Sequence, residues 1–156
     1  ALTAACTNGH FKTVKYLINK GAKINFNGFW SGSPLSAAAY SGNLNIVKLL
    51  VSRGAKINAQ VSANGNTALM IASQYGHLDV VKYLVEKGAN LNLKRTIYKT
   101  TAIYSALSEN KLNVVKYLLS KGVDLDIKTS WNKTAMDLIK EKKLLYLLKN
   151  YKKKLN

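Results

Sequence analysis

Two histidines, His10 and His77, one cysteine, Cys6, and seven acidic residues are the groups in this 156-residue chain that could bind a metal, attack a substrate or carry a proton. Their spacing does not assemble them into a site. A metal centre needs several ligands converging on one point, yet the histidines stand 67 residues apart. Each follows a glycine, Gly9 or Gly76, and the matching places elsewhere hold Asn43 and Lys111, residues that no common ligand set would accept. Cys6 aligns with Ala39 and Ser73, which marks it as a small residue of a packed face. The acids are scattered without a carboxylate pair, and neither a glycine-rich phosphate loop nor a G-x-S-x-G nucleophile turn occurs. No catalytic residue, metal or cofactor is expected.

Charge offers a different chemistry. Lys and Arg number 24 against 7 Asp and Glu, a net charge of +17, and such a field attracts nucleic acid, anionic lipid or an acidic protein. The Lys152-Lys153-Lys154 tail adds to it. However, only Arg53 and Arg95 are arginine, the residue whose planar fork grips phosphate with two bonds. Lysine with abundant Asn, Ile and Tyr is also the mixture that an AT-rich genome imposes on any surface. Weak, salt-sensitive binding of nucleic acid is therefore the alternative reading. No apolar run approaches the roughly eighteen residues of a membrane span and no basic-then-apolar leader opens the chain. A soluble, monomeric domain is expected, and the lone cysteine favours a reducing compartment such as the cytoplasm.

The elements that position these residues emerge from self-similarity. Val14-Lys15-Tyr16-Leu17, Val47-Lys48-Leu49-Leu50, Val81-Lys82-Tyr83-Leu84 and Val115-Lys116-Tyr117-Leu118 each precede a glycine, and Gly21, Gly54, Gly88 and Gly122 recur every 33 or 34 residues. Upstream lie Ala1-Leu2-Thr3-Ala4-Ala5, Ser33-Pro34-Leu35-Ser36-Ala37, Thr67-Ala68-Leu69-Met70-Ile71, Thr101-Ala102-Ile103-Tyr104-Ser105 and Thr134-Ala135-Met136-Asp137-Leu138. Each unit reads as a short helix capped by Ser33 or Thr67, a turn at Gly9, Gly42 or Gly76, and a second helix with an apolar stripe such as Leu78, Val81 and Leu84. One such pair cannot bury its apolar face alone, so stacked copies must share a core. The units span about 1–25, 26–58, 59–92 and 93–126, with a closing unit at 127–156. Leu145, Leu148 and Tyr151 of that last unit continue the stripe, while Lys140, Glu141, Lys142 and Lys143 form a polar outer face. Because the first unit lacks its opening, further repeats are expected ahead of Ala1.

This pattern resembles the ankyrin-repeat family, through the Ser/Thr-Pro/Ala-Leu block, Gly9-His10 and Gly76-His77, the Val-Val-x-x-Leu stripe and the Gly54-Ala55-Lys56-Ile57-Asn58 ending. The resemblance implies an all-α repeat solenoid of helix-turn-helix units joined by β-hairpin-like loops. It departs from the family where the signature histidine is Thr3, Ser36, Met70, Tyr104 and Asp137, so the bond that braces the turn must be replaced or lost in every unit. Asn110 replaces a turn glycine, and the linkers 58–66 and 92–100 each carry one residue more than the family's usual hairpin, which predicts distorted fingers.

The resemblance also implies a function, binding of another protein on a concave groove formed by the fingers and the first helices. The matching positions are Phe29, Trp30, Tyr98 and Trp131 on the fingers and Tyr40 and Tyr75 on the first helices. Exposed Trp and Tyr are favoured interface anchors, and Arg53 and Lys87, with Lys20 and Lys121, would supply a basic rim suited to an acidic partner. Alternatively Trp30, Tyr98 and Trp131 merely pack against neighbouring fingers. Lys15, Lys48, Lys82, Lys116 and Lys149 recur opposite the apolar stripe and form an outer ladder, either a solvated face or an anion-binding rail.

Overall fold

The computed structural model describes residues 1–26, 32–138, 146 and 149–151. Eight α-helices occur there in chain order: α1 (Leu2–Thr7), α2 (Phe11–Asn19), α3 (Pro34–Ser41), α4 (Leu44–Ser52), α5 (Ala68–Tyr75), α6 (Leu78–Glu86), α7 (Ala102–Ser108) and α8 (Leu112–Ser120), followed by one 3-10 turn over Ala135–Leu138. They form two rows. The first helices α1, α3, α5 and α7 pack side by side, with the 3-10 turn next, and the second helices α2, α4, α6 and α8 make the other row. The first row is the tighter because Ala5, Cys6, Ala38, Ala39, Ala72, Ser73 and Ala106, all buried, keep side-chain bulk out of the contact.

Local chemistry starts and stops these helices where the sequence says it should. Ser33 Oγ accepts from the Ser36 amide while Ser36 Oγ accepts from the Ser33 amide, a reciprocal cap ahead of Pro34 at the first helical position. Thr67 Oγ1 accepts from the Met70 amide in the same way. Thr101 makes no such bond. At the C-termini of α3 and α5, Gly42 and Gly76 adopt φ of 69° and 78°, the left-handed backbone that favours glycine. Asn110 takes the equivalent place in the fourth unit at φ 53°, which asparagine tolerates better than other side chains do.

The second helices bury Val47, Leu50, Val81, Leu84, Val115 and Leu118 as the stripe requires. Leu44, Leu78 and Leu112 lie only partly buried, and Ile46, Val80 and Val114 take the deeper place. The reason is geometric: the inward arc of a helix between two neighbours is wider than one strict row, so i, i+1 and i+4 positions share it. Beyond each terminal glycine the units are stapled by asparagine. Asn25 donates to the Gly54 carbonyl at 2.9 Å and accepts from the Lys56 amide at 2.9 Å, and Asn58 repeats this with Gly88 at 3.1 Å and Asn90 at 2.8 Å. Asn92 accepts from Asp124 at 3.0 Å.

Among the described residues the fingers are hairpin-like without strands. Val61 and Asn66 exchange amide-to-carbonyl bonds of 2.8 and 3.0 Å and form an isolated antiparallel bridge. Ser62 is held left-handed at φ 62° in the second finger, and Lys99 at φ 54° takes the left-handed place that Gly32, Gly65 and Asn132 fill in the other fingers. Successive fingers hydrogen-bond to one another, Thr96 N to Asn64 O at 3.1 Å and Ser130 N to Tyr98 O at 3.1 Å. The missing signature histidine is replaced by chemistry in two units: Ser36 makes the reciprocal cap, and the Asp137 carboxylate accepts from the Thr134 amide at 2.7 Å and its hydroxyl at 2.9 Å. Those bonds hold the Asp137 carboxyl below its ordinary pKa. Met70 instead fills the core. In the closing unit, residues 139–145, 147, 148 and the lysine tail lie outside the described residues; Tyr151 packs against the core. Among the described residues no helix is long and apolar enough to cross a membrane.

Candidate protein-binding groove

The first helices end where the turn begins, and their last side chains can no longer face a neighbour's core. Tyr40 near the end of α3 and Tyr75 at the end of α5 are both 46 % exposed, although every residue from Pro34 to Ala39 is buried. Their rings meet edge to face with centroids 4.6 Å apart. His77 lies parallel to Tyr75 at 6.3 Å and places Nε2 3.0 Å from the Tyr40 carbonyl oxygen, so the tyrosine pair is held from behind. Burial, and then the Tyr40 hydroxyl, push the Tyr75 phenol above its ordinary pKa.

These rings wall a groove of about 600 Å³ that crosses α1, α3 and α5 beneath the finger carrying Val61, Ser62 and Asn66. Ala4, Ala37 and Ile71 line it with apolar surface, and Thr7, Asn8 and Gln74 with neutral polar groups; among the described residues no charged one lines it. Asn66 Oδ1 is buried there without a hydrogen-bond partner. Gln74 also borders a second hollow of about 260 Å³, between the third and fourth fingers, shared with Arg95, Tyr98, Tyr104, Ser105, Glu109 and Trp131. Tyr98 stacks on Trp131 at 5.4 Å with planes 16° apart. The finger rings do pack on each other, yet they stay 38 % and 58 % exposed.

The structure thus brings Tyr40 and Tyr75 together, and Tyr98 with Trp131. Phe29 and Trp30 lie outside the described residues. Arg53 and Lys87 are not beside the tyrosine pair, contrary to the rim expected from sequence. Helices joined by a two-residue turn run back on themselves, so Arg53 and Lys87, which follow α4 and α6, sit a helix length from the turns that carry Tyr40 and Tyr75. The Arg53 guanidinium reaches Asn19 Oδ1 of the preceding unit at 3.5 Å. Lys87 instead covers the Tyr83 ring, Nζ 5.7 Å from the centroid.

The lysine ladder has partners of its own. Lys15, Lys48, Lys82, Lys116 and Lys149 are exposed, but Lys48 lies over Tyr83 and Lys82 over Tyr117, each 5.9 Å away in the next unit. Lys121 completes the second set at 5.5 Å from Tyr117. Each of these tyrosines is clasped by two ammonium groups, one from its own helix end and one from the unit before. At the turns, Asn43 Nδ2 donates to the Gly9 carbonyl at 3.2 Å, the role His77 fills one unit later. Cys6 is wholly buried and burial pushes its thiol up to about 12.

Arg95, Gln74 and Asn66 are groove residues that motif reading passed over. Arg95 alone carried a signal: it is one of two arginines in a chain whose other basic residues are all lysine.

A family model of ankyrin repeats, in three copies, matches residues 1–61 and 58–129. No curated protein matches the chain. Ankyrin repeats are in general protein–protein interaction modules and typically not enzymes. With two rows of helices, glycine-ended turns, asparagine staples and stacked fingers over the matched span, the chain belongs to the ankyrin-repeat family.

Proposed function

We propose that the chain is an interaction module that seats a segment of a partner protein in the groove walled by Tyr40 and Tyr75 and extended by Tyr98 and Trp131. The observation that carries this reading is the exposure of Tyr40 and Tyr75 on a 600 Å³ groove that, among the described residues, no charged one lines. Large amphipathic rings on a rigid frame contribute contact area at little entropic cost. The alternative, a basic surface for nucleic acid or anionic lipid, is less favoured because the lysines of the second helices are spread along the opposite row and partly spent on Tyr83 and Tyr117.

The test is affinity capture of partners on the full chain, then titration of each captured protein against variants. Tyr75→Ala or Tyr40→Ala weakens binding by more than about 1 kcal/mol, the size expected of an interface anchor, with little change in melting temperature. Reversing Lys48 and Lys82 to Glu is the control. If that reversal abolishes binding while the tyrosine variants bind normally, the functional surface is the second-helix row.

A further inference from the structure

Arg95 opens the third finger, where its amide donates to the Thr100 carbonyl at 2.8 Å and closes the loop around it. Its side chain folds under the finger towards the first helices. One terminal nitrogen lies 3.5 Å from Gln74 Oε1 and 3.4 Å from Ser105 Oγ, both weak neutral contacts, and Nε is buried with no partner. Among the described residues no carboxylate forms an ion pair with it. A half-buried guanidinium with five donors and only neutral acceptors at long range is incompletely compensated, and such a charge is costly unless something pairs with it. Burial accordingly holds its pKa below the ordinary value.

The geometry points to a carboxylate subsite: we infer that the hollow around Arg95 receives an Asp or Glu side chain of the protein segment seated along Tyr40 and Tyr75. The inference rests on the proposed groove and names what its occupant must carry. The hollow adjoins the groove, with Gln74 lining both. Planar guanidinium and carboxylate match in two parallel bonds, which lysine cannot make. Ser105 and Tyr104 stand in the same hollow with hydroxyls, and the Tyr98–Trp131 stack walls it towards solvent. Charge selects the class of anion. Among the described residues Arg95 is the single cation lining about 260 Å³, and Glu109 adds a negative charge on the same wall, so one carboxylate facing the guanidinium is tolerated better than the two charges of a phosphate dianion. A nucleic-acid backbone fits poorly for the same reason, since among the described residues the adjoining groove provides no further cation for its phosphates.

The experiment is selection of random linear peptides displayed on phage against the full chain, in parallel with Arg95→Gln, which keeps an amide near Gln74 and Ser105 but removes the charge. The wild-type chain enriches peptides with one invariant Asp or Glu at a fixed distance from an apolar or aromatic residue. Against Arg95→Gln the acidic position becomes random while the apolar one persists. A synthetic consensus peptide and its acid-to-amide version, titrated calorimetrically, differ at least tenfold in affinity on the wild type and less than about twofold on the variant. If Arg95→Gln does not fold by circular dichroism, Arg95→Lys, which keeps the charge without the fork, gives an intermediate difference. Enriched peptides without an acidic position, or an acidic position that survives Arg95→Gln, overturn the subsite and leave the groove standing. Peptides that Tyr75→Ala binds unchanged, or no enriched peptide at all, remove the groove and the subsite together. A phosphoserine version that binds more tightly than the acidic peptide overturns the carboxylate assignment.

Discussion

His77 lays its imidazole across the backbone of Gly42 in the preceding unit, and its Nε2 stands 3.0 Å from the carbonyl oxygen of Tyr40. The contact joins two turns that are 35 residues apart in sequence but adjacent in the stack. A Cβ built on Gly42 would run into that imidazole. Gly42 is therefore required twice, for its φ of 69° and for its lack of a side chain.

Gly42→Ala is expected to lower the free energy of unfolding by about 1–2 kcal/mol from the left-handed backbone alone, and further through the displaced ring. Adding His77→Ala removes the collision but not the backbone strain. Urea unfolding of both single variants and the pair reads this as a combined loss smaller than the two separate losses together. Strict additivity would show that the imidazole does not bear on Gly42.

Leu84 is fully buried in α6, and Leu84→Ala is expected to cost about 2–5 kcal/mol, as for other buried leucines. Lys82, two residues earlier, points out over Tyr117. Its replacement by Ala costs about 0.5 kcal/mol, the scale of an exposed cation–ring contact. Equal losses at the two sites, measured by thermal or denaturant unfolding, would place the helix phase wrongly.

Cys6 ionises near 12 when folded and at the ordinary 9.0 when unfolded. A thiol whose folded pKa is raised contributes stability that is complete below the unfolded value and is lost as pH rises through the folded one. Wild-type stability should thus fall relative to Cys6→Ala between about pH 9 and pH 12 and run parallel to it below pH 9. Alkylation by iodoacetamide at pH 8 is expected only after the chain is unfolded, since a buried thiol there holds almost no thiolate. Rapid labelling of the folded chain would contradict the packing around α1.

Binding of the chain to DNA or RNA, driven by +17 of net charge, is expected to disappear steeply as salt rises, with log affinity falling linearly in log salt concentration. Filter binding across a salt series measures it. Tight, salt-resistant and sequence-selective binding would move the function to the basic surface.

Much of the solenoid is legible because a repeat protein is nearly one-dimensional: each unit touches only its neighbours, so local signals recurring every 33 or 34 residues specify helices, turns and core together. Ser33 and Thr67 cap, Gly42 and Gly76 turn, and Val81 and Leu84 bury by short-range rules that the residue types already contain. The places of Tyr40 and Tyr75 at the helix ends follow from the same period. The partners of the long charged side chains do not. A lysine stem reaches beyond its own turn, so Lys82 finds Tyr117 of the next unit and Lys87 finds Tyr83, while Arg53 reaches back to Asn19. Only the three-dimensional offset between stacked helices decides those meetings. Arg95 depends on the stack in the same way: its guanidinium lies under the finger against Gln74 of one unit and Ser105 of the next, a meeting that no local pattern encodes.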